Sequence, residues 1–355
     1  MQTEDERRFY PCNVKRYDPM LSDAVLPFKG LFYPLGFPLE LATNSRHVME
    51  SAYEAWGAWE RAFDSDPLQF RVLVQAEGEA AVAPTYLLQA GLLSFVADAH
   101  NFAAAGIVGL TAGFLVSEKT VADHALFRWL FLEAMAYMLL TQRYVVSLHA
   151  ACVARDGAGI LLCGSSGAGK STLSVACARA GFTFLSDDCT WVLTGVETPV
   201  AIGKPHQARL RGDAARHFPE LAEFPARVLP NGKLSMEVPT SLLSGVRTAP
   251  RAHVGALVFL LRECEGEARV ERVGPKEAAE LLLADLPSYG PEVNAAHERT
   301  VNQLVELPCW RLTYSSLADA VKFLSATDIA STRTGGTPGF PPPSGWSETP
   351  PPPDH

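Results

Sequence analysis

The stretch Gly164 to Ser171, with the sequence GSSGAGKS, constrains this chain more than any other part of it. Its glycines allow a tight turn in which successive backbone N–H groups converge on an anion. The apolar run Gly159 to Cys163 before it predicts a strand, and Thr172 to Ala180 after it predicts a helix. A strand that leads through such a loop to a helix N-terminus is typical of phosphate-binding loops. The alternative is a glycine-rich turn without a ligand.

The positions of this loop have distinct expected roles. Lys170 is expected to reach the β- and γ-phosphates of ATP, and the hydroxyl of Ser171 is expected to ligate Mg²⁺. The residues predicted to bind the nucleotide are Gly164, Ser165, Ser166, Gly167, Ala168, Gly169, Lys170, Ser171 and Thr172.

A pair of carboxylates, Asp187 and Asp188, follows the loop after one predicted helix and the short apolar strand Phe182 to Ser186. In a strand–helix–strand unit the end of the second strand lies at the same sheet edge as the loop. One aspartate there can accept a proton from an attacking hydroxyl, and the other, assigned as Asp188, can bind Mg²⁺ together with Ser171. The alternative is a carboxylate pair that caps a turn.

His149 lies in the segment Tyr144 to Ala154, which predicts a strand. Taken alone, a histidine in such a strand is more simply a core residue with one hydrogen bond. Its distance along the chain from the loop and from the Asp-Asp pair gives it another interpretation. The sequence from Leu148 through Asp188 resembles the catalytic core of the HPr kinase/phosphorylase family, which combines a histidine, a phosphate loop and an Asp-Asp pair at this spacing.

This resemblance is strong over residues 145–194 and extends weakly to about residue 325. It implies an α/β fold with a P-loop kinase core of the HPr-kinase/PEP-carboxykinase-like type. It also implies that His149 lies near the transferred phosphoryl group and that Asp187 and Asp188 supply the general base for a serine hydroxyl. His149, Lys170, Asp187 and Asp188 are therefore the predicted catalytic residues.

The basic segment Ile202 to Asp213 stands where the family has a Gly- and Ile-rich loop with a metal-binding glutamate. The chain is in this respect more similar to divergent HPr-kinase-like proteins, and HPr is left open as a substrate. Cations that could bind substrate or γ-phosphate are Lys204, His206, Arg209, Arg211 and Lys233. Arg211 is the first choice and joins the predicted nucleotide-binding residues. A solvated surface charge is the alternative for each.

Composition argues against several classes of protein. With 39 acidic and 30 basic residues, the net charge of −9 does not favour nucleic-acid binding. Seven cysteines without metal-ligand spacing, and a charged N-terminus without an apolar signal region, favour a cytoplasmic protein. The apolar stretches 102–116 and 126–140 are short or interrupted by charge, so no membrane partner is expected.

Three regions are predicted along the chain: an N-terminal α+β accessory domain (1–118), an HPr-kinase-like P-loop domain (119–330) and a disordered Pro-rich tail (331–355). In the first, a helix is predicted from His47 to Phe63, followed by the strands of an antiparallel sheet. A buried helix is predicted from Ala122 to Gln142.

The combined prediction is a Mg-ATP-dependent kinase that transfers the γ-phosphoryl group to a hydroxyl, with serine favoured, on a protein, peptide or small molecule. One alternative is an ATP-binding regulatory module without phosphotransfer. A hydrolysing motor or transport ATPase is a weaker alternative, because no later strand ends in an evident Walker B carboxylate. The acceptor, the choice between ATP and GTP, and the formation of a homo-oligomer are left open.

Overall fold

The computed structural model describes residues 20–21, 23–228 and 234–326. Lys233 and the predicted tail lie outside the described residues. The described chain forms two compact units: unit 1 takes residues 20–33, 38–57 and 66–135, and unit 2 takes 34–37, 58–65 and 136–326. The domain boundaries predicted from the sequence stay predictions.

Unit 1 is built on a seven-stranded sheet of order β1-β2-β3-β7-β6-β5-β4. Its strands are β1 (Phe28–Phe32), β2 (Leu39–Thr43), β3 (Leu68–Gln75), β4 (Thr85–Gln89), β5 (Leu92–Asp98), β6 (Asn101–Gly106) and β7 (Thr111–Ser117). β3 is parallel to both β2 and β7, and the other neighbours are antiparallel. The prediction of an antiparallel sheet is therefore wrong for the β3–β7 pair, which is parallel. β2 was not predicted, and a helical crossover joins it to β3.

That crossover contains helix α1 (Arg46–Trp56). The prediction of a helix to Phe63 is wrong beyond Trp56. Residues 58–65 belong to unit 2, where Phe63 stacks on Phe37 with 4.4 Å between ring centroids. The apolar spacing of this segment thus reflects burial of two separately packed pieces of chain.

The predicted helix 122–142 is present as a succession of shorter helical segments rather than one regular helix. They are α2 (Glu118–Ala122), α3 (His124–Phe127), a π-helical segment (Arg128–Glu133) and α4 (Ala134–Arg143). A π-helical segment of this kind interrupts the i to i−4 hydrogen bonding of an α-helix.

Unit 2 contains a ten-stranded sheet, a three-stranded sheet and helices. The strands are β8 (Val145–Leu148), β9 (Ala150–Arg155), β10 (Ala158–Cys163), β11 (Thr183–Ser186), β12 (Thr190–Leu193), β13 (Val200–Ile202), β14 (Gln207–Arg211), β15 (Arg227–Val228), β16 (Leu234–Pro239), β17 (Arg247–Thr248), β18 (Arg251–Arg262), β19 (Arg269–Arg272) and β20 (Cys309–Tyr314). The helices are α5 (Lys170–Arg179), α6 (Pro275–Leu283), α7 (Pro291–Val305) and α8 (Leu317–Ala326).

The large sheet is covered by helices on both faces. Its main path runs β17-β11-β9-β10-β18-β13-β12-β8, and β20 pairs with β18. Leu173 of α5 and Leu324 of α8 belong to one buried apolar cluster, whereas Leu282 of α6 and Leu304 of α7 belong to another. Helices, strands and a mixed sheet in unit 2 confirm the predicted α/β class. The finer assignment to a P-loop kinase core stays a prediction.

A tight hairpin turn joins β9 to β10. Arg155 pairs with Ala158 at the end of the antiparallel β9–β10 ladder. Asp156 and Gly157 between them have φ values of 50° and 85°. Positive φ at both central residues is the signature of the hairpin turn that joins two twisted strands most directly.

Two apolar stretches were considered as membrane spans. Residues 102–116 contribute to the antiparallel strands β6 and β7, and residues 126–140 lie in the helical segments α3 to α4. No helix in the described part of the chain combines the length and apolar character needed to cross a bilayer.

Candidate functional site

Strand register brings three separate segments to one edge of the large sheet. Ala150, the first residue of β9, pairs with Cys163, the last residue of β10, so His149 is next to the start of the 164–171 loop. On the other side of β9, Ser186 pairs with Cys152, which places Asp187 and Asp188 beside the same strand end. The loop, the histidine and the carboxylates therefore meet at one edge.

His149 is at a bend rather than inside the predicted strand Tyr144 to Ala154, and that prediction is wrong at this residue. β8 before the bend pairs with β12, whereas β9 after it pairs with β10 and β11. Asp187 and Asp188 lie in the corresponding break between β11 and β12. The sheet pairing therefore changes at His149 and at Asp187 and Asp188, and these three residues lie outside the regular strands.

The 164–171 loop has the backbone that its glycines predict. Gly164, Gly167 and Gly169 have φ values of 150°, 95° and 95°, in the region that favours glycine. A Cβ on Gly164 would lie 2.9 Å from the carbonyl oxygen of Leu260, so a side chain there would collide with β18. Helix α5 begins at Lys170, and Ser171 and Thr172 are half-buried in its first turn.

Lys170 is buried across the loop, with 5% of its surface exposed. Its Nζ donates to the carbonyl oxygens of Gly164 at 2.6 Å and Ser165 at 3.1 Å. These bonds hold the ammonium group of Lys170 against the 164–171 loop, whose backbone N–H groups would face a bound anion. The lysine thus lies where the sequence places it, at the junction of loop and helix.

Asp187 is the most strongly perturbed carboxyl of this edge. Only 6% of the residue is exposed, and its Oδ2 accepts a 3.0 Å hydrogen bond from the backbone N–H of Arg209. Burial, followed by the charge of Asp188, raises the pKa of Asp187 to about 7, although Arg209 opposes the shift. Such a carboxyl can take up or release a proton near neutral pH.

Asp188 and His149 face each other at the surface of the site. The Nε2 of His149 lies 3.3 Å from Oδ1 of Asp188, and the two side chains are 36% and 47% exposed. Their exposure leaves both groups accessible to a ligand. The neighbouring carboxylates thus have different environments, since Asp187 is buried and Asp188 is half-exposed.

The basic segment contributes two arginines next to this edge. Nη2 of Arg211 donates to Oγ of Ser166 at 2.9 Å, so the guanidinium touches the loop. Arg209, besides its backbone bond to Asp187, pairs through Nε with Glu237 at 3.2 Å. Both arginines are on β14, whose antiparallel pairing with β16 holds them in place.

Lys204 and His206 of the same segment contact aromatic rings. The Nζ of Lys204 lies 5.1 Å from the centre of the Tyr137 ring. The ring of His206 lies edge-on to Trp59, with 5.9 Å between the centroids, and burial lowers the pKa of His206. These contacts favour packing roles for the two residues.

Tyr314 is a residue of the site that the sequence interpretation missed. Its buried hydroxyl donates to the carbonyl oxygen of Ala168 at 2.7 Å, and a Cβ on Gly169 would collide with it. Burial raises the pKa of Tyr314 to about 12, so this donor keeps its proton at neutral pH. The available sequence signal was its position at the end of the strand-like run Cys309 to Tyr314, which forms β20.

A cavity of about 240 Å³ opens beside His149, Gly164 and Ser165. Its walls are largely apolar, and Asp285 adds a carboxylate from the turn after α6. Nothing in the sequence around residue 285 indicated that this turn reaches the loop. The cavity offers space for a small group next to the predicted catalytic residues.

Comparison with known proteins adds little to this geometry. No family model matches the chain, and no curated protein matches it. Among solved structures, the chain is similar to the HPr(Ser) kinase/phosphatase from Coxiella burnetii, with 11% sequence identity and a TM-score of 0.28 over 51% of this chain and 90% of that one. At this TM-score the likeness carries no argument about function.

Proposed function

We propose that this protein is an ATP-dependent kinase that transfers the γ-phosphoryl group to a hydroxyl of a protein, peptide or small-molecule acceptor. The observation that carries the proposal is the meeting of the 164–171 loop with Asp187, a carboxyl whose pKa is raised to about 7, at one sheet edge. Phosphoryl transfer needs an anion cradle and a proton acceptor close to each other.

The nucleotide would bind along the 164–171 loop. Its backbone N–H groups and the N-terminus of α5 supply the anion-binding dipoles, and Lys170 and Arg211 supply positive charge beside them. The hydroxyl of Ser171 and the half-exposed carboxylate of Asp188 are the hard oxygen ligands that Mg²⁺ prefers. Bound Mg²⁺ would neutralise phosphate charge.

Asp187 would act as the general base. In the transfer, the acceptor oxygen forms a bond to the γ-phosphorus while the bond from that phosphorus to the β–γ bridging oxygen breaks, and ADP leaves with the electron pair. The hydroxyl proton goes to the carboxylate of Asp187, which Arg209 holds through its backbone N–H. His149 would orient Asp188 and border the cavity that receives the acceptor.

The test is a transfer assay with the full chain, Mg²⁺ and ATP labelled in its γ-phosphate, using serine-containing peptides and a desalted cell extract as acceptors. Acid-stable label should appear on an acceptor, because a phosphate ester of a hydroxyl survives acid. Saturable binding of ATP without label transfer or hydrolysis would overturn the proposal in favour of an ATP-binding regulatory module.

A further inference from the structure

Unit 1 contains a cluster of two histidines and a carboxylate that has no part in the proposed kinase site. His47 and Glu50 are one turn apart on α1, and His124 is the first residue of α3. Nδ1 of His47 lies 3.1 Å from Oε2 of Glu50, and the rings of His47 and His124 are 5.5 Å apart at 80°. One ligand atom from each of the three residues lies within 4.8 Å of the other two.

The helices that carry these residues are fixed next to each other. Arg128 is the first residue of the π-helical segment that follows α3, and Glu54 is one turn beyond Glu50 on α1. Arg128 Nη1 lies 3.5 Å from Oε1 of Glu54, and the arginine side chain is only 7% exposed. Asp123 caps the turn that begins at His124 by accepting from the N–H of Leu126 at 3.1 Å. The three ligands thus stand on supported helical backbone, which limits the reorganisation that binding requires.

The donor set selects the chemical class of the ligand. Two imidazoles and one carboxylate are the ligands that Zn²⁺ and related divalent transition metals accept, with bonds of about 2.0 to 2.2 Å. Tetrahedral bonds of that length separate ligand atoms by roughly 3.3 Å. The 3.1 Å between His47 and Glu50 fits this spacing, and His124, within 4.8 Å of both, would move towards them. His47 and Glu50 are 64% and 60% exposed, which leaves room for a water molecule as a fourth ligand.

We propose that His47, Glu50 and His124 bind a divalent transition metal ion of the Zn²⁺ type, which bridges α1 and α3. In the described part of the chain, this is the one group of three such side chains with ligand atoms close enough to share an ion. The ion would stabilise unit 1 by linking the two helices. This site is independent of the proposed phosphotransfer.

Calorimetric titration of the reduced full chain with ZnCl₂, in excess Mg²⁺ to occupy sites made of oxygen ligands, tests the proposal. The parent should bind one ion at this site and show a rise in melting temperature with Zn²⁺, because the ion binds the folded state. His47→Ala and His124→Ala should each weaken this binding by at least about 10- to 100-fold, the effect of losing even an outer-shell partner. Glu50→Gln should weaken it as well.

His100→Ala removes another exposed histidine of unit 1 and should leave the titration unchanged. Circular dichroism and the melting temperature without metal verify that each variant is folded. If the double variant His47→Ala/His124→Ala bound Zn²⁺ with the stoichiometry and affinity of the parent, the proposed site would be wrong. Cobalt(II) provides an independent readout, since a tetrahedral site should give visible absorption that the double variant lacks.

Discussion

Each unit contains a group of buried polar residues, and the two groups differ in whether their side chains can ionise and whether solvent can reach them. In unit 1, Asn101, Ser117 and Thr120 form what we term the Asn101 cluster. Asn101 Oδ1 accepts from the Ser117 N–H at 3.0 Å and from the Thr120 hydroxyl at 2.6 Å, and Nδ2 donates to the carbonyl of Glu79 at 3.0 Å. The three side chains are uncharged and buried, and Nδ2 of Asn101 also donates to the exposed carboxylate of Asp98 at 2.9 Å.

At the edge of the unit 2 sheet the polar residues are ionisable. Lys170 and Asp187 are buried, the pKa of Asp187 is raised to about 7, and Asp188 and His149 remain accessible to solvent. A neutral network with satisfied hydrogen bonds stabilises a fold. A buried charge next to open polar groups instead keeps a proton and a binding surface available. The comparison predicts that substitutions at the two places affect different measurements.

The largest effect is expected for Lys170→Ala. Loss of the ammonium group should reduce label transfer by at least about 100- to 1,000-fold, the effect of removing one preorganised electrostatic donor. The melting temperature should fall as well, because the bonds from Lys170 to Gly164 and Ser165 are lost, so transfer is compared per folded molecule. Lys119→Ala, which removes an exposed lysine of unit 1, is the control. If Lys170→Ala transferred label at the parental rate, the unit 2 sheet edge would not be the site of phosphoryl transfer.

Asp187→Asn should reduce transfer by about 100-fold, the lower end of the usual contribution of a general base. In the parent, kcat/KM should fall as the pH drops below about 7, because burial raises the pKa of Asp187 to that value and the protonated form cannot accept a proton. The residual activity of the variant should lack this dependence. Asp156→Asn, in the exposed β9–β10 turn, is a matched control and should keep the parental profile.

The same carboxyl predicts a pH dependence of stability. Between the ordinary pKa of 3.8 and about 7, the folded state holds a proton on Asp187 that the unfolded chain has released. Its contribution to the free energy of unfolding is therefore full below pH 3.8 and is lost as the pH rises through about 7. Urea unfolding across this range should show that decline in the parent but not in Asp187→Asn. An identical slope in both proteins would contradict the raised pKa.

Asn101→Ala tests whether the Asn101 cluster contributes to stability alone. It leaves the N–H of Ser117 without its acceptor and removes the 2.6 Å bond from the Thr120 hydroxyl, so we expect a loss of about 2 to 4 kcal/mol in the free energy of unfolding. Transfer per folded molecule should not change, because the cluster contributes nothing to the site. Urea denaturation measures the first effect, with the exposed Gln89→Ala as control. A loss of activity without a loss of stability would show that the role of the Asn101 cluster is not structural alone.

Tyr314→Phe should have the smallest effect and should affect both measurements. It keeps the ring and removes the hydrogen bond to Ala168, so we expect a loss of about 1 kcal/mol in stability. If the same free energy of about 1 kcal/mol is lost when the loop is ordered around the nucleotide, kcat/KM should fall by about fivefold. Tyr53→Phe, at an exposed position, is the control. Unchanged ATP affinity and turnover would show that the hydroxyl does not position the loop.

The sequence predicted those parts of the site that depend on local pattern. A strand, a glycine-rich loop and a helix follow one another without interruption, so the positions of Lys170 and Ser171 could be read directly. The placement of Asp187 and Asp188 at the same edge followed from the handedness of strand–helix–strand units. These inferences needed no distant part of the chain.

The remaining features depend on residues far apart in sequence. The bend at His149 exists because β8 and β9 pair with different strands, and the apolar run from 144 to 154 has no sign of that change of partner. Helix α1 ends early because residues 58–65 pack in unit 2 rather than on the helix face. The raised pKa of Asp187 needs the burial of its carboxyl, which local pattern does not define.

The hydrogen bond from Tyr314 to Ala168 joins residues 146 positions apart. During synthesis, the ribosome would release the glycine-rich loop long before the strand that braces it. The loop can reach its final shape only after β20 has joined the sheet, and contacts of such long range form slowly. A nascent chain that ends before β20 would therefore carry the glycine-rich loop without this hydrogen bond.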